Sequence, residues 1–289
     1  MKAWLQLIRP ANVLTAISDV MAGVALAGLF LQINLPDTYT LVLIAVSSML
    51  LYTGGIVFND VFDAKLDQIE RPERPIPAGR VPKFAAVILG TMAFTAGCLI
   101  VGSLNDYALG IAILIVMMCL VYNGKAKHHF ILGPICMGAC RGLNLLLGMA
   151  VFPESLQYWY VAIVPVIYIA AVTNISRGEV YGNNKTAMLV SVGLYSLVLL
   201  TMLSFTIHFG HYSAFAFLLA FILLIGTPLK KALKSLAPPD IRKSVKFGVL
   251  ALILMNASWI AIAGFPYLAL AVCVILPVSI YLAKKFAVT

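Results

Sequence analysis

The chain has 289 residues, 62% of them hydrophobic and only 11% charged, with a formal net charge of +9. A mean hydropathy of +1.00 excludes an ordinary water-soluble domain and places the chain in a membrane. The positive excess then reads as topology and contact with anionic membrane lipids, and a nucleic-acid partner is excluded as its explanation.

In chain order, apolar runs near the length that crosses a hydrocarbon core fall at about 11–32, 40–58, 84–104, 107–122, 130–151, 158–175, 187–207, 212–229, 246–264 and 266–283. They predict an all-α, polytopic bundle of nine to ten transmembrane helices. The final pair is divided only by Gly264 and Pro266, a pattern that a kinked or re-entrant segment would share. The first run is too long, and lacks the small-residue cleavage site, for a removed signal peptide. No soluble domain interrupts the series, so residues 1–289 read as one membrane domain. Within it, residues of about 1–125 and 126–245 form two related halves, followed by C-terminal helices.

Lys and Arg outside the spans occupy the N-terminal tail, every second connection and the C-terminal end, and the intervening connections hold none. The positive-inside rule therefore predicts a cytoplasmic N-terminus with cytoplasmic motif loops, and favours ten spans, because Lys284 and Lys285 then return to the same side. The five cysteines lie in apolar spans without disulfide or zinc spacing. Cys136 and Cys140, on one helix face, read as small packing residues.

Residues 59–83 gather five of the eleven carboxylates and five of the twenty Lys/Arg between two apolar runs. Asp60, Asp63 and Asp67 stand at i, i+3 and i+7, so a helix continuing out of the second span would project all three from one face. Clustered acids repel unless a cation sits among them, and Mg²⁺ held by carboxylates and a substrate's phosphate oxygens suits the pattern. Arg71 and Arg74 follow, in a loop stiffened by Pro72, Pro75 and Pro77, as phosphate-binding candidates.

The run N-D-x-x-D-x-x-x-D followed by R-P-x-R-P-x-x-x-G, from Asn59 to Gly79, resembles the first aspartate-rich motif of the UbiA superfamily of intramembrane prenyltransferases. RPANVLTA at 9–16 is similar to that family's opening helix, and YNGKAK at 122–127 to its tyrosine-lysine loop. CRGLNLLLGM at 140–149, TNISRGEV at 173–180 and the ending LAKKFAVT resemble the EboC-like branch. The resemblance implies a bundle around a central cavity open to lipid, in which Mg²⁺ and basic residues bind an isoprenyl diphosphate for transfer to an aromatic or other lipophilic acceptor. It implies Asp60, Asp63 and Asp67 as metal ligands, Asn59 and Arg71 at the diphosphate, and Lys127, or Lys125, neutralising the departing pyrophosphate. Asn12, Arg74, Tyr122, Arg141, Asn174, Arg177 and Lys185 join the substrate-binding set. The EboC-like affiliation implies a bacterial inner membrane and keeps open a non-catalytic role in exporting metabolites.

The family's second motif departs from its D-x-x-x-D pattern. Asn174 and Gly178 occupy those positions, with Glu179 one place on. Three outcomes stay open: Glu179 holds metal, Arg177 and Lys185 act as surrogate cations beside one metal, or ionisation is lost. Tyr52, Phe58, Phe62 and Tyr122 are candidates for the wall of a chamber that shelters a carbocation. Arg141 is the only basic residue inside a span, and is expected either to touch substrate or to pair with Asp19 at similar depth. His208 and His211 read as interfacial polar residues, His128 and His129 as loop residues beside the lysine turn. Glu70 and Glu73 read as partners of nearby bases, and Lys230 to Lys246 as a lipid-facing basic loop.

Overall fold

The computed structural model describes residues 1–127, 129–179 and 182–286. Its helices are α1 (Lys2–Ile8), α2 (Pro10–Leu31), α3 (Thr38–Glu70), α4 (Lys83–Gly102), α5 (Asp106–Val121), α6 (Leu132–Met149), α7 (Ile163–Ser176), α8 (Lys185–Phe209), α9 (Ala214–Ser235), α10 (Pro238–Ile262), α11 (Pro266–Cys273) and α12 (Ile275–Phe286). Joined with a π-helical turn at Tyr122–Ala126 and a 3₁₀ segment at Pro153–Ala162, they make ten stretches long and apolar enough to span a membrane. The tenth is broken at Val274 between α11 and α12, and Gly264, at φ +89°, turns the chain into it.

α2 and α10 form the centre. Within their apolar stretches 78% of the residues are buried, against 17–56% for the other eight. The outer helices instead present Met92, Leu99, Leu200 and Leu223 outward, as lipid-facing helices must. Helices in lipid associate by close packing, and α2 meets α6 through glycines. A Cβ added at Gly23 would stand 2.0 Å from the Leu145 carbonyl oxygen, and one at Gly148 would stand 2.1 Å from that of Val20.

α3 is the helix that positions the site. Asp37 caps it, its carboxylate accepting from the Thr40 hydroxyl at 2.8 Å and the Thr40 amide at 3.1 Å, and these hydrogen bonds hold its pKa below the usual carboxylate range. Its 33 residues extend about 50 Å at 1.5 Å per residue, some 20 Å more than a hydrocarbon core of about 30 Å requires. The overhang carries Asp60, Asp63 and Asp67. The loop beyond it folds back through Val81, which packs with Leu7, Val57, Val61 and Ala86 in a small core beneath α1. Arg80 ties this loop to α1 through Gln6, at 2.8 Å.

Candidate active site

Asp60, Asp63 and Asp67 lie on one face of α3 and are only 2%, 8% and 3% exposed, so their charges need partners close by. Each has one. The Arg9 guanidinium donates to Asp60. Arg74 reaches Asp67 at 2.6 Å and Asp60 at 3.5 Å, and Lys127 pairs with Asp63. The other five of these six residues, Arg9, Asp63, Asp67, Arg74 and Lys127, all border one cavity of about 710 Å³ between α2, α3, α5, α6, α7 and α10. Its mouth is edged by Asn59, Glu70 and Arg71. Its body is apolar, with Leu51, Ile56, Ile115 and Val249 in the wall.

Arg9 takes part because the chain bends there. It is the left-handed residue, φ 52°, between α1 and Pro10 at the start of α2. In the sequence Arg9 is a tail charge that opens the RPANVLTA run, and the R-P-x-N pattern there is the signal that marks it. Asn12, one turn into α2, borders the same cavity. Asn123 was also missed as a separate residue: it accepts the Asn59 amide at 2.8 Å and donates to the Gly55 carbonyl at 3.3 Å.

The π-helical turn brings Lys127, and not Lys125, to the cavity. The Lys127 amide bonds the Tyr122 carbonyl at 2.9 Å, five residues back. In a regular α-helix those side chains would be about 140° apart around the axis. The widened turn lets both Tyr122 and Lys127 border the cavity, whereas Lys125 is exposed and outside its wall.

The second-motif segment, residues 173–185, supplies no described residue to the cavity wall. Asn174 donates to the Ala187 carbonyl and the Ser191 hydroxyl, at 2.7 and 3.1 Å, which fastens α7 to α8. A side chain at Gly178 would meet Ile241 at 3.0 Å. Arg177 stacks on Phe130, its guanidinium carbon 4.0 Å from the ring centre, and Lys185 lies exposed at the start of α8. The expectation that Asn174, Arg177 and Lys185 face substrate therefore meets side chains turned elsewhere. Glu179 lies outside the cavity wall, within electrostatic reach of Arg71 and Arg242, and burial pushes its carboxyl up against the pull of those two bases.

Arg141 pairs with Asp19 at 2.7 Å and also donates to Thr15 and Tyr52, at 2.7 and 2.9 Å. Asn144 and Asn256 complete the shell of Asp19, at 3.0 and 2.7 Å. Arg141, Tyr52, Asn144 and Ser48 face the cavity, so this network closes its inner end. Of the four aromatic candidates, Tyr52 and Tyr122 border the cavity. Phe58 instead stacks on Phe94 at 5.4 Å, and Phe62 is half exposed.

The remaining titratable candidates have local duties. His129 Nδ1 accepts from the Ile131 and Leu132 amides, and His211 Nδ1 contacts the Ile262 carbonyl at 2.7 Å. Glu73 offers its backbone carbonyl to Arg80. His128 lies outside the described residues.

Among the described residues no three His, Cys, Asp or Glu side chains converge as a ready metal cage. The donors are still of the right kind, since Asp60, Asp63 and Asp67 offer hard oxygens from one helix face. Arg9 and Lys127, the partners of Asp60 and Asp63, have long side chains that stay 31% and 23% exposed at the cavity.

A largely apolar cavity with a charged mouth, set in a bundle with ten stretches long and apolar enough to cross a membrane, defines an integral membrane protein. The model of the UbiA prenyltransferase family matches residues 21–247, and the chain belongs to that family. A digeranylgeranylglyceryl phosphate synthase of Methanothrix thermoacetophila is 35% identical over 153 residues, 53% of this chain and 56% of the relative. That of Saccharolobus solfataricus is 27% identical, covering 77% of this chain and 84% of the relative. For the more similar of these relatives the chain thus spans little more than half their length. Among solved structures, an apo UbiA homologue from Aeropyrum pernix superposes with a TM-score of 0.70 at 15% identity, covering 85% of this chain and 96% of the other. A UbiA homologue from Archaeoglobus fulgidus bound to DMAPP and Mg²⁺ superposes with 0.65 at 14%, covering 90% and 99%. These relatives are archaeal synthases, so the EboC-like affiliation, with the bacterial membrane and the export role drawn from it, finds no support in them.

Proposed function

We propose that the protein transfers an isoprenyl group from an isoprenyl diphosphate to a lipophilic acceptor, using Mg²⁺. The observation that carries this reading is the row of buried carboxylates, each paired with a base, at the mouth of an apolar cavity. The diphosphate would lodge at that mouth, with its hydrocarbon chain in the cavity. Mg²⁺, held by Asp60, Asp63 and Asp67, would supply Lewis-acid stabilisation of the charge that grows on the departing pyrophosphate. Arg9, Arg74 and Lys127 would exchange a carboxylate for phosphate oxygens, and Arg71 would meet the diphosphate from the loop. Asn59, oriented by Asn123, would position the same group. The apolar wall would exclude water from the allylic carbon, and Tyr122, in that wall, would offer it an aromatic neighbour. Glu179 takes no part in metal binding in this reading.

Purified protein incubated with Mg²⁺ and labelled geranyl, farnesyl or geranylgeranyl diphosphate, with either a prenyl glyceryl phosphate or an aromatic acid as acceptor, should release pyrophosphate and label one acceptor. Asp63→Asn should lower turnover by about two to three orders of magnitude, as loss of one group that supports transition-state charge does. Retained binding without turnover for any donor would overturn the enzymatic reading.

A further inference from the structure

The Sγ atoms of Cys119 on α5 and Cys140 on α6 stand 3.8 Å apart, and both residues border the cavity. Cys98, Cys136 and Cys273 make no such sulfur contact among the described residues. A disulfide needs a separation of about 2.05 Å, so each sulfur of the pair has less than about 1 Å to travel. Leu51, Ile56, Ile115 and Met137 give the same cavity an apolar lining. A charged peptide disulfide would lose its hydration there, and an uncharged lipid-soluble oxidant would not.

We propose that Cys119 and Cys140 form a reversible dithiol–disulfide site in the cavity wall, closed by a lipophilic quinone. The two S–H bonds break and one S–S bond forms. The two electrons and two protons pass to the quinone, which leaves as hydroquinone, and a dithiol reductant reverses the step. Tyr122, one turn from Cys119, shares this stretch of wall, so the site reports on the cavity itself.

The test uses the full-length protein in lipid nanodiscs, treated with a fully ring-substituted short-chain benzoquinone so that thiol addition to the ring is blocked. After acid quench, denaturation and alkylation, mass spectrometry should show two fewer alkylated cysteines and one peptide pair joining Cys119 to Cys140. Dithiothreitol should restore both thiols. Cys119→Ser and Cys140→Ser should each keep every remaining thiol. Glutathione disulfide at matched oxidising potential should react far more slowly. A quinone-treated protein in which Cys119 and Cys140 both stay alkylatable, or a bridge to a different cysteine, overturns the proposal. Closure by glutathione disulfide as fast as by quinone overturns the assigned class of oxidant.

Discussion

The three aspartates on α3 are chemically unequal. Asp60 accepts from Arg9 and from the more distant Arg74, Asp67 from Arg74 alone, and Asp63 from Lys127. Arg9→Gln leaves Asp60 with only the 3.5 Å contact and removes one base from the mouth. Steady-state kinetics should show KM for the diphosphate raised about tenfold to a hundredfold, the cost of one lost hydrogen bond to a charged group, with kcat little changed. A variant that loses only thermal stability would make Arg9 a purely structural partner. Glu179 allows a pH test. Burial raises its folded-state pKa, so the folded protein favours the protonated form. The penalty for ionising it is absent below the ordinary glutamate range and sets in as pH rises through that range to the raised folded value. Glu179→Gln should therefore lift the thermal midpoint near neutral pH, leave it unchanged in acid and spare Mg²⁺-dependent turnover. A turnover loss comparable to that of Asp63→Asn would put Glu179 at the metal.

At the scale of the helices, the spans and the shared face of Asp60, Asp63 and Asp67 were legible in the sequence because hydropathy and helical period are local properties. Partnerships between helices were legible only where opposite charges lie at one depth, as Asp19 and Arg141 do. Nothing in the order of residues places Arg9 on Asp60 or Asn123 on Asn59, and no hydropathy pattern announces a π-turn between Tyr122 and Lys127. The second-half motif was no clearer: its spacing set Asn174 among the substrate-binding residues, and its amide binds α8. Nor does spacing reveal that α2 and α6 touch backbone to backbone. Gly148→Ala would force a methyl against the Val20 carbonyl, a cost of about 1–3 kcal/mol or more for an overpacked contact. Gly193→Ala, whose added carbon meets nothing within 4 Å, is the control. Denaturant titration in detergent should separate the two; equal stability would mean that the helices part without penalty.

Across the whole molecule, the network around Asp19 and Arg141 joins α2, α3, α6 and α10 at the inner end of the cavity. Removing one partner of such a pair strands the other in the membrane interior, a loss of about 3–5 kcal/mol. Asp19→Asn and Arg141→Gln should each lower the unfolding midpoint, and the double variant should lose less than the sum. Strict additivity in that cycle would show that the two residues do not act as a pair. The same network sets a timetable for biogenesis. Asp19 leaves the ribosome 122 residues before Arg141 and 237 before Asn256. α2 therefore precedes both of these partners into the bilayer, where an acid at mid-helix costs about 2.5–3.5 kcal/mol on translocon insertion. Arg141 arrives with α6 and Asn256 only with α10, so a helix threaded in before its partners is secured after them.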